Sequence, residues 1–187
     1  MSELITRSDY AQIYVGDYQD IIPQKAAEGR AWQAWTEFTL GAGATKDLQF
    51  KVTRCIPHVF RREIVVEGGA IEYEVFESST QTDGTQEFNL SNLNRIVQQN
   101  DCSFKLYTNP TNINVSEATL IEKEVQFPED GKKGTTSFDV SGFERILKPQ
   151  EDYIMRFKNP TNSTEKVFFK IFFYLWNGAS PKFIKTR

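Results

Sequence analysis

The sequence predicts an all-β fold: an antiparallel β-sandwich of the jelly-roll kind, with about eight to ten short strands and a partly helical N-terminal arm. Three observations predict it. From Trp32 onward apolar residues recur with a period of two. Turn-forming residues interrupt this pattern about every 8–12 positions. The last strand, Val167 to Trp176, is aromatic on both faces. The expected organisation is an arm over 1–30, a sandwich over 31–177 and a tail over 178–187.

In the arm, Tyr10, Ile13, Tyr14, Tyr18 and Ile21 recur at spacings of three and four, which is one helical face. Ser8 or Asp9 is a suitable cap. Gly16 weakens a helix here, and Pro23 ends it or restarts the chain. The arm either packs on its own sandwich or docks on a partner.

In the first strand Trp32, Ala34, Thr36, Phe38 and Leu40 share a face, and Gly41-Ala42-Gly43-Ala44 is a turn. Leu48, Phe50 and Val52 then alternate with Asp47, Gln49, Lys51 and Thr53, the pattern of a half-buried strand. Val59 to Val66 continues, broken by Arg61, Arg62 and Glu63, and turns at Gly68-Gly69. Ile71, Tyr73 and Val75 give a core face, with Glu72, Glu74 and Glu77 on a solvated one. A polar loop runs from Ser78 to Thr85. Further strands are expected at Phe88–Ile96, Phe104–Thr108, Thr119–Phe127 and Ser137–Val140. Tyr153, Met155 and Phe157 share a face before the final strand. Asn109-Pro110-Thr111-Asn112 recurs as Asn159-Pro160-Thr161-Asn162, and both copies fit turn chemistry.

The final strand places Val167, Phe169, Ile171, Phe173 and Leu175 on one face and Phe168, Lys170, Phe172, Tyr174 and Trp176 on the other. The first is a core face. The second is too aromatic for a surface that only meets water, so it is expected to lie under the arm or a neighbouring subunit.

Composition excludes several function classes. The 22 basic and 25 acidic residues leave a net charge of −3, no footprint for a phosphate backbone, so nucleic acid is not the expected partner. No apolar run reaches the length of a membrane span, and Met1 to Arg7 lacks the apolar core of a signal peptide, so a soluble product made in the cytoplasm is expected. Cys55 and Cys102 match no disulfide framework or metal spacing, and free thiols are favoured over a bridge. The single histidine, His58, has no neighbours at ligand spacing. No nucleophile elbow or phosphate loop occurs. Glu72 and Glu74 lie within about 7 Å by strand rise, a workable carboxylate pair, but solvated strand faces share that pattern. No enzyme activity, cofactor or metal is therefore expected. Trp32, Trp35 and Trp176 suit a sugar-stacking platform or a protein contact. Protein contact is favoured, because aromatic enrichment marks interface cores.

Several segments together resemble a group of tailed-bacteriophage virion proteins, the small jelly-roll head decoration (cement) or fibre-base proteins. They are Gly29-Arg30-Ala31-Trp32, Leu48-Gln49-Phe50-Lys51-Val52, Tyr73-Glu74-Val75-Phe76-Glu77, and Asp83-Gly84-Thr85 followed by Asn89-Leu90-Ser91-Asn92-Leu93-Asn94-Arg95. Ile146-Leu147-Lys148-Pro149, Tyr153-Ile154-Met155-Arg156-Phe157, Lys158-Asn159-Pro160-Thr161-Asn162 and the aromatic last strand complete the likeness, which spans about residues 29–177. The Asn-Leu-Asn-Arg segment is its most specific element. The first 28 residues are longer than the family pattern.

The resemblance implies a homo-oligomer, a trimer slightly before a dimer, clamped on the major capsid protein at the virion exterior, without catalysis. The expected capsid or subunit contacts are Tyr10, Ile13, Tyr14, Tyr18, Ile21 and Ile22 of the arm, with Trp35, Phe168, Phe172, Tyr174 and Trp176 of the sandwich. A tail or fibre-base protein and a carbohydrate-binding module are the alternatives.

Overall fold

Alternating apolar residues form strands whose apolar faces must meet, and here they meet in two stacked sheets. The computed structural model describes residues 22–53, 56–67, 69–85, 88–96, 104–126, 135–139 and 145–176. The eight strands that build the sandwich are β1 (Ala31–Leu40), β2 (Thr45–Val52), β3 (Ile56–Glu67), β4 (Ile71–Glu77), β9 (Thr119–Gln126), β10 (Thr135–Asp139), β12 (Asp152–Lys158) and β13 (Glu165–Trp176). One sheet runs β10-β3-β13-β1 and the other β2-β12-β4-β9, all antiparallel. From β1 to β4 the chain changes sheet at every connection, and from β9 onward it returns by the same alternation. The last two strands take the middle of the two sheets. This is jelly-roll topology.

The core lies between the sheets. Val167, Phe169, Ile171, Phe173 and Leu175 of β13 are at most 2% exposed. They face Leu48 and Phe50 of β2, Tyr73 of β4 and Tyr153, Met155 and Phe157 of β12 in one cluster. Aromatic rings bridge the layers: Phe50 to Phe173 at 5.4 Å, Phe157 to Phe169 at 5.1 Å and Phe38 to Phe157 at 5.2 Å between centroids. Burying each such ring stabilises the fold by about 1.5–3 kcal/mol.

The connection from β4 to β9 is long and carries four more strands: β5 (Thr80–Thr82), β6 (Asn89–Asn92), β7 (Phe104–Tyr107) and β8 (Thr111–Asn114). β6 pairs with β1 and β7 with β2, so each sheet gains a strand on the same side of the sandwich. β5 and β8 pair as a separate ribbon. Asp83 ties that ribbon to β2, accepting from Gln49 Nε2 at 2.9 Å and Lys51 Nζ at 2.8 Å. The short β11 (Arg145–Ile146) pairs with β3.

Thirteen strands are therefore described, more than the eight to ten expected, because the insertion contributes four and β11 one. The polar loop at Ser78–Thr85 contains β5, and the stretch expected as a strand over Phe88–Ile96 is extended only over Asn89–Asn92. Of the arm, residues 22–27 form a short helix with Pro23 in its first turn, where its missing N–H costs nothing. Cys55 and Cys102 lie outside the described residues.

Two polar clusters depart from the simple alternation. Glu74, expected to be solvated, is 4% exposed. It is held by Lys158 Nζ at 2.7 Å and Lys123 Nζ at 2.9 Å, and it sits in a cross-strand row Asp47–Arg156–Glu74–Lys123 of alternating charge. Glu77 lies on the Tyr153 side of its strand, not with Glu72 and Glu74, since Ile71, Tyr73, Val75 and Glu77 share parity; Tyr153 donates to it at 3.2 Å. Arg62 points inward at 5% exposure, in step with Ile64 and Val66, and the irregularity opposite Phe172/Phe173 separates this run from Val59. There it meets Glu122 of β9 at 3.1 Å, and Arg145 of β11 meets the same carboxylate at 3.1 Å.

Candidate functional site

The outer face of the β13 sheet is the surface that sequence reasoning singles out, and register places its residues in rows. Tyr174 lies between Ala31 and His58, Phe172 between Gln33 and Arg61, Lys170 between Trp35 and Glu63, and Phe168 between Glu37 and Val65. Trp176 pairs with Ile56 at one end. The irregularity in β3 brings Phe60 to this face as an added ring. A stripe of rings results: His58 stacks on Tyr174 at 4.7 Å and approaches Trp176 at 6.0 Å, while Phe60 lies 6.2 Å from Tyr174 and 6.1 Å from Phe172. The Tyr174 hydroxyl and His58 Nδ1 are 3.1 Å apart.

Cations stand on these rings. Lys170 Nζ is 4.4 Å from the centre of Phe172, and the Arg61 guanidinium is 5.5 Å from it. Lys25 Nζ is 4.6 Å from the centre of a Trp176 ring. Such contacts stabilise by about 0.5–2 kcal/mol each, depending on how far the cation is desolvated.

Trp35, Phe168, Phe172 and Trp176 are half-buried on this face, and so is Ile22 in the short helix. Tyr174 is 2% exposed, so it packs beneath its neighbours instead of presenting its ring outward. Tyr10, Ile13, Tyr14, Tyr18 and Ile21 lie outside the described residues.

The chain enters this face at the Trp176 end. Gly29 ends the helical turn at φ 72°, a left-handed conformation that suits glycine. Leu175 N–H donates to Arg30 O at 2.9 Å, which fixes the turn against β13. From the other side β6 clamps it: Asn92 Nδ2 donates to Gly29 O at 2.6 Å, Asn94 Nδ2 to Ala27 O at 3.0 Å, and Leu93 N–H to Ala31 O at 2.8 Å. The Asn-Leu-Asn-Arg segment is thus a fastening for the root of the arm. No family model matches this chain, and no curated protein matches its sequence.

Sequence reasoning missed His58, Phe60 and Arg61 as members of this face. Phe60 and Arg61 are adjacent in sequence and both point outward, which strict alternation forbids. An Arg-Arg-Glu run inside an apolar strand was the available signal of a register change. Among the described residues, no group of three or more His, Cys, Asp and Glu side chains is placed to hold a metal ion.

Proposed function

We propose that this chain is a structural virion protein of a tailed phage, a decoration or cement protein that binds the outside of the capsid shell and reinforces it. The observation that carries the reading is the aromatic outer face of the β13 sheet, half-buried and studded with cations, at the root of an N-terminal arm that β6 fastens in place. Rings and stems of this kind supply large contact area at low entropic cost. The likeness of the strand and turn segments to jelly-roll decoration proteins supports the same reading. A standard interface buries roughly 1,600 Å², and a homo-oligomer multiplies modest contacts by avidity.

The test is binding to tailed-phage heads that lack this protein. The full chain co-sediments with the heads. A chain without residues 1–21 keeps the circular dichroism and melting behaviour of the sandwich but stays in the supernatant. If the truncated chain still decorates heads, the arm is not the docking element. Copy number separates the decoration role from a tail or fibre-base role: hundreds per virion for the first, a handful for the second.

The carboxylate pair argues for no hydrolytic reading. Burial alone raises the pKa of Glu74, but the bonds from Lys158 and Lys123 outweigh it and hold the carboxyl below its usual range. A general acid needs the opposite shift.

A further inference from the structure

We infer that the interior of the sandwich holds one ordered water molecule, bonded between the Tyr73 hydroxyl, Arg62 Nε and the Glu122 carboxylate. The site is internal to the fold and stands whether or not the virion role holds.

The residues that build it come from both sheets. Tyr73 on β4 points inward with Ile71 and Val75, and Glu122 on β9 lies opposite Val75 in register. Arg62 reaches the same carboxylate from β3, and Arg145 reaches it from β11. Tyr73, Arg62 and Arg145 line a cavity of about 20 Å³, whose other walls include Val75, Met155 and Ile171. Room for a water begins at about 10–15 Å³. The cavity therefore suits one water and nothing much larger.

Polar atoms around it lack partners. Tyr73 is 1% exposed, and its hydroxyl bonds to nothing among the described residues. The same holds for Arg62 Nε. Arg62 Nη2 and Arg145 Nε come within 3.1 Å of Glu122 Oε1 and Oε2. That is close enough to attract, but neither approach is aligned as a hydrogen bond. The Tyr73 hydroxyl belongs to this cluster electrostatically. Burial raises its pKa, the Glu122 charge adds to the rise, and the two guanidinium groups oppose it. The hydroxyl is thus held neutral and able to donate.

A water molecule matches this set. Its lone pairs accept from the Tyr73 hydroxyl and Arg62 Nε, and its protons go to the Glu122 oxygens. Internal waters make about three such bonds, to buried groups that would otherwise go without. An apolar occupant would leave every one of these atoms unbonded. A small anion would be repelled by the Glu122 carboxylate.

The test uses the full chain. A crystal structure at a resolution that shows ordered water is expected to contain one density peak at hydrogen-bond distance from both Tyr73 Oη and Arg62 Nε. Tyr73→Phe keeps the ring that packs on Phe157 and removes only the hydroxyl. Its urea midpoint is expected to fall, because a bonded hydroxyl is lost; removing an unbonded buried hydroxyl would raise the midpoint. A cavity without density overturns the proposal, as does a structure in which these two groups bond to other protein atoms. A Tyr73→Phe midpoint equal to or above that of the wild type overturns it as well.

Discussion

Asn159 holds three carbonyl oxygens with one side-chain amide. Its Nδ2 lies 3.2 Å from Leu40 O, 3.0 Å from Gly41 O and 2.7 Å from Ser163 O, while its Oδ1 accepts from Thr161 N–H at 2.9 Å. It joins the β1–β2 turn to the β12–β13 loop, and it is 2% exposed. Removing it leaves the buried Leu40 carbonyl and two part-buried ones short of a donor, so Asn159→Ala should lower stability by about 1–3 kcal/mol, read as a shift in the urea midpoint. Asn109 opens the same tetrapeptide but is exposed, and the equivalent change should shift the midpoint less. The repeat was legible as turn chemistry; which copy is buried depends on what the fold brings against it, and four residues carry no such information. Glu74 makes the same point for charge. Its alternation with Tyr73 and Val75 places it on the outer face, but only the pairing of β4 with β9 and β12 reveals the two lysines that cover it. Its depressed pKa fixes a sign. The folded chain holds fewer protons at this group than the unfolded chain, so the contribution is present above the ordinary value of 4.5 and is lost as pH falls through the folded value. Glu74→Gln should flatten the acid limb of stability, seen by comparing urea unfolding at neutral and acid pH.

At the scale of elements, the strands with strict alternation, β2, β4 and β13, were legible from sequence because one side faces a common core. β5 and β8 were not. They pair mainly with each other over short polar stretches, where no apolar period exists to detect. Gln49 illustrates the cost of that gap: its parity puts it in solvent, yet it is fully buried because the connection carrying β5 bonds to it through Asp83. β6 was recognisable as a distinctive segment, but its role as a clamp needed the register with β1. Asn92→Ala should loosen the turn at residues 22–30 while leaving the sheets intact. The expected outcome is faster tryptic cleavage after Lys25 and Arg30 at an unchanged far-ultraviolet spectrum. Unchanged cleavage would show that β13 alone fixes the turn.

Across the whole molecule, the two sheets are joined by more than apolar contact. Glu122 on β9 of one sheet is shared by Arg62 and Arg145 on β3 and β11 of the other. Burial pushes the Glu122 carboxyl above its usual range, and the two guanidinium groups pull the other way without reversing it. Replacing one member leaves uncompensated charge in the interior. Glu122→Gln should therefore cost about 3–5 kcal/mol, measured by chemical denaturation at neutral pH. The sandwich class was legible because most of the long strands keep a period of two, β3 with one irregularity. The inward side chain of Arg62 was not, since the irregularity at Phe60 breaks the alternation that would relate Val59 to Ile64 and Val66.

The central position of β12 and β13 has a temporal consequence. Strand β13 joins β1 to β3, and β12 joins β2 to β4, so neither sheet has its middle until residues 152–176 have been synthesised. At about 5–20 residues per second, the first four-fifths of the chain are made before the central partners of their apolar strands exist. Pairs such as Ala31 with Tyr174 also demand closure of a loop nearly as long as the sandwich itself. Completion of either sheet thus waits for its central strand and is slow by topology, and until those strands arrive the exposed β-edges depend on whatever shields them in the cell.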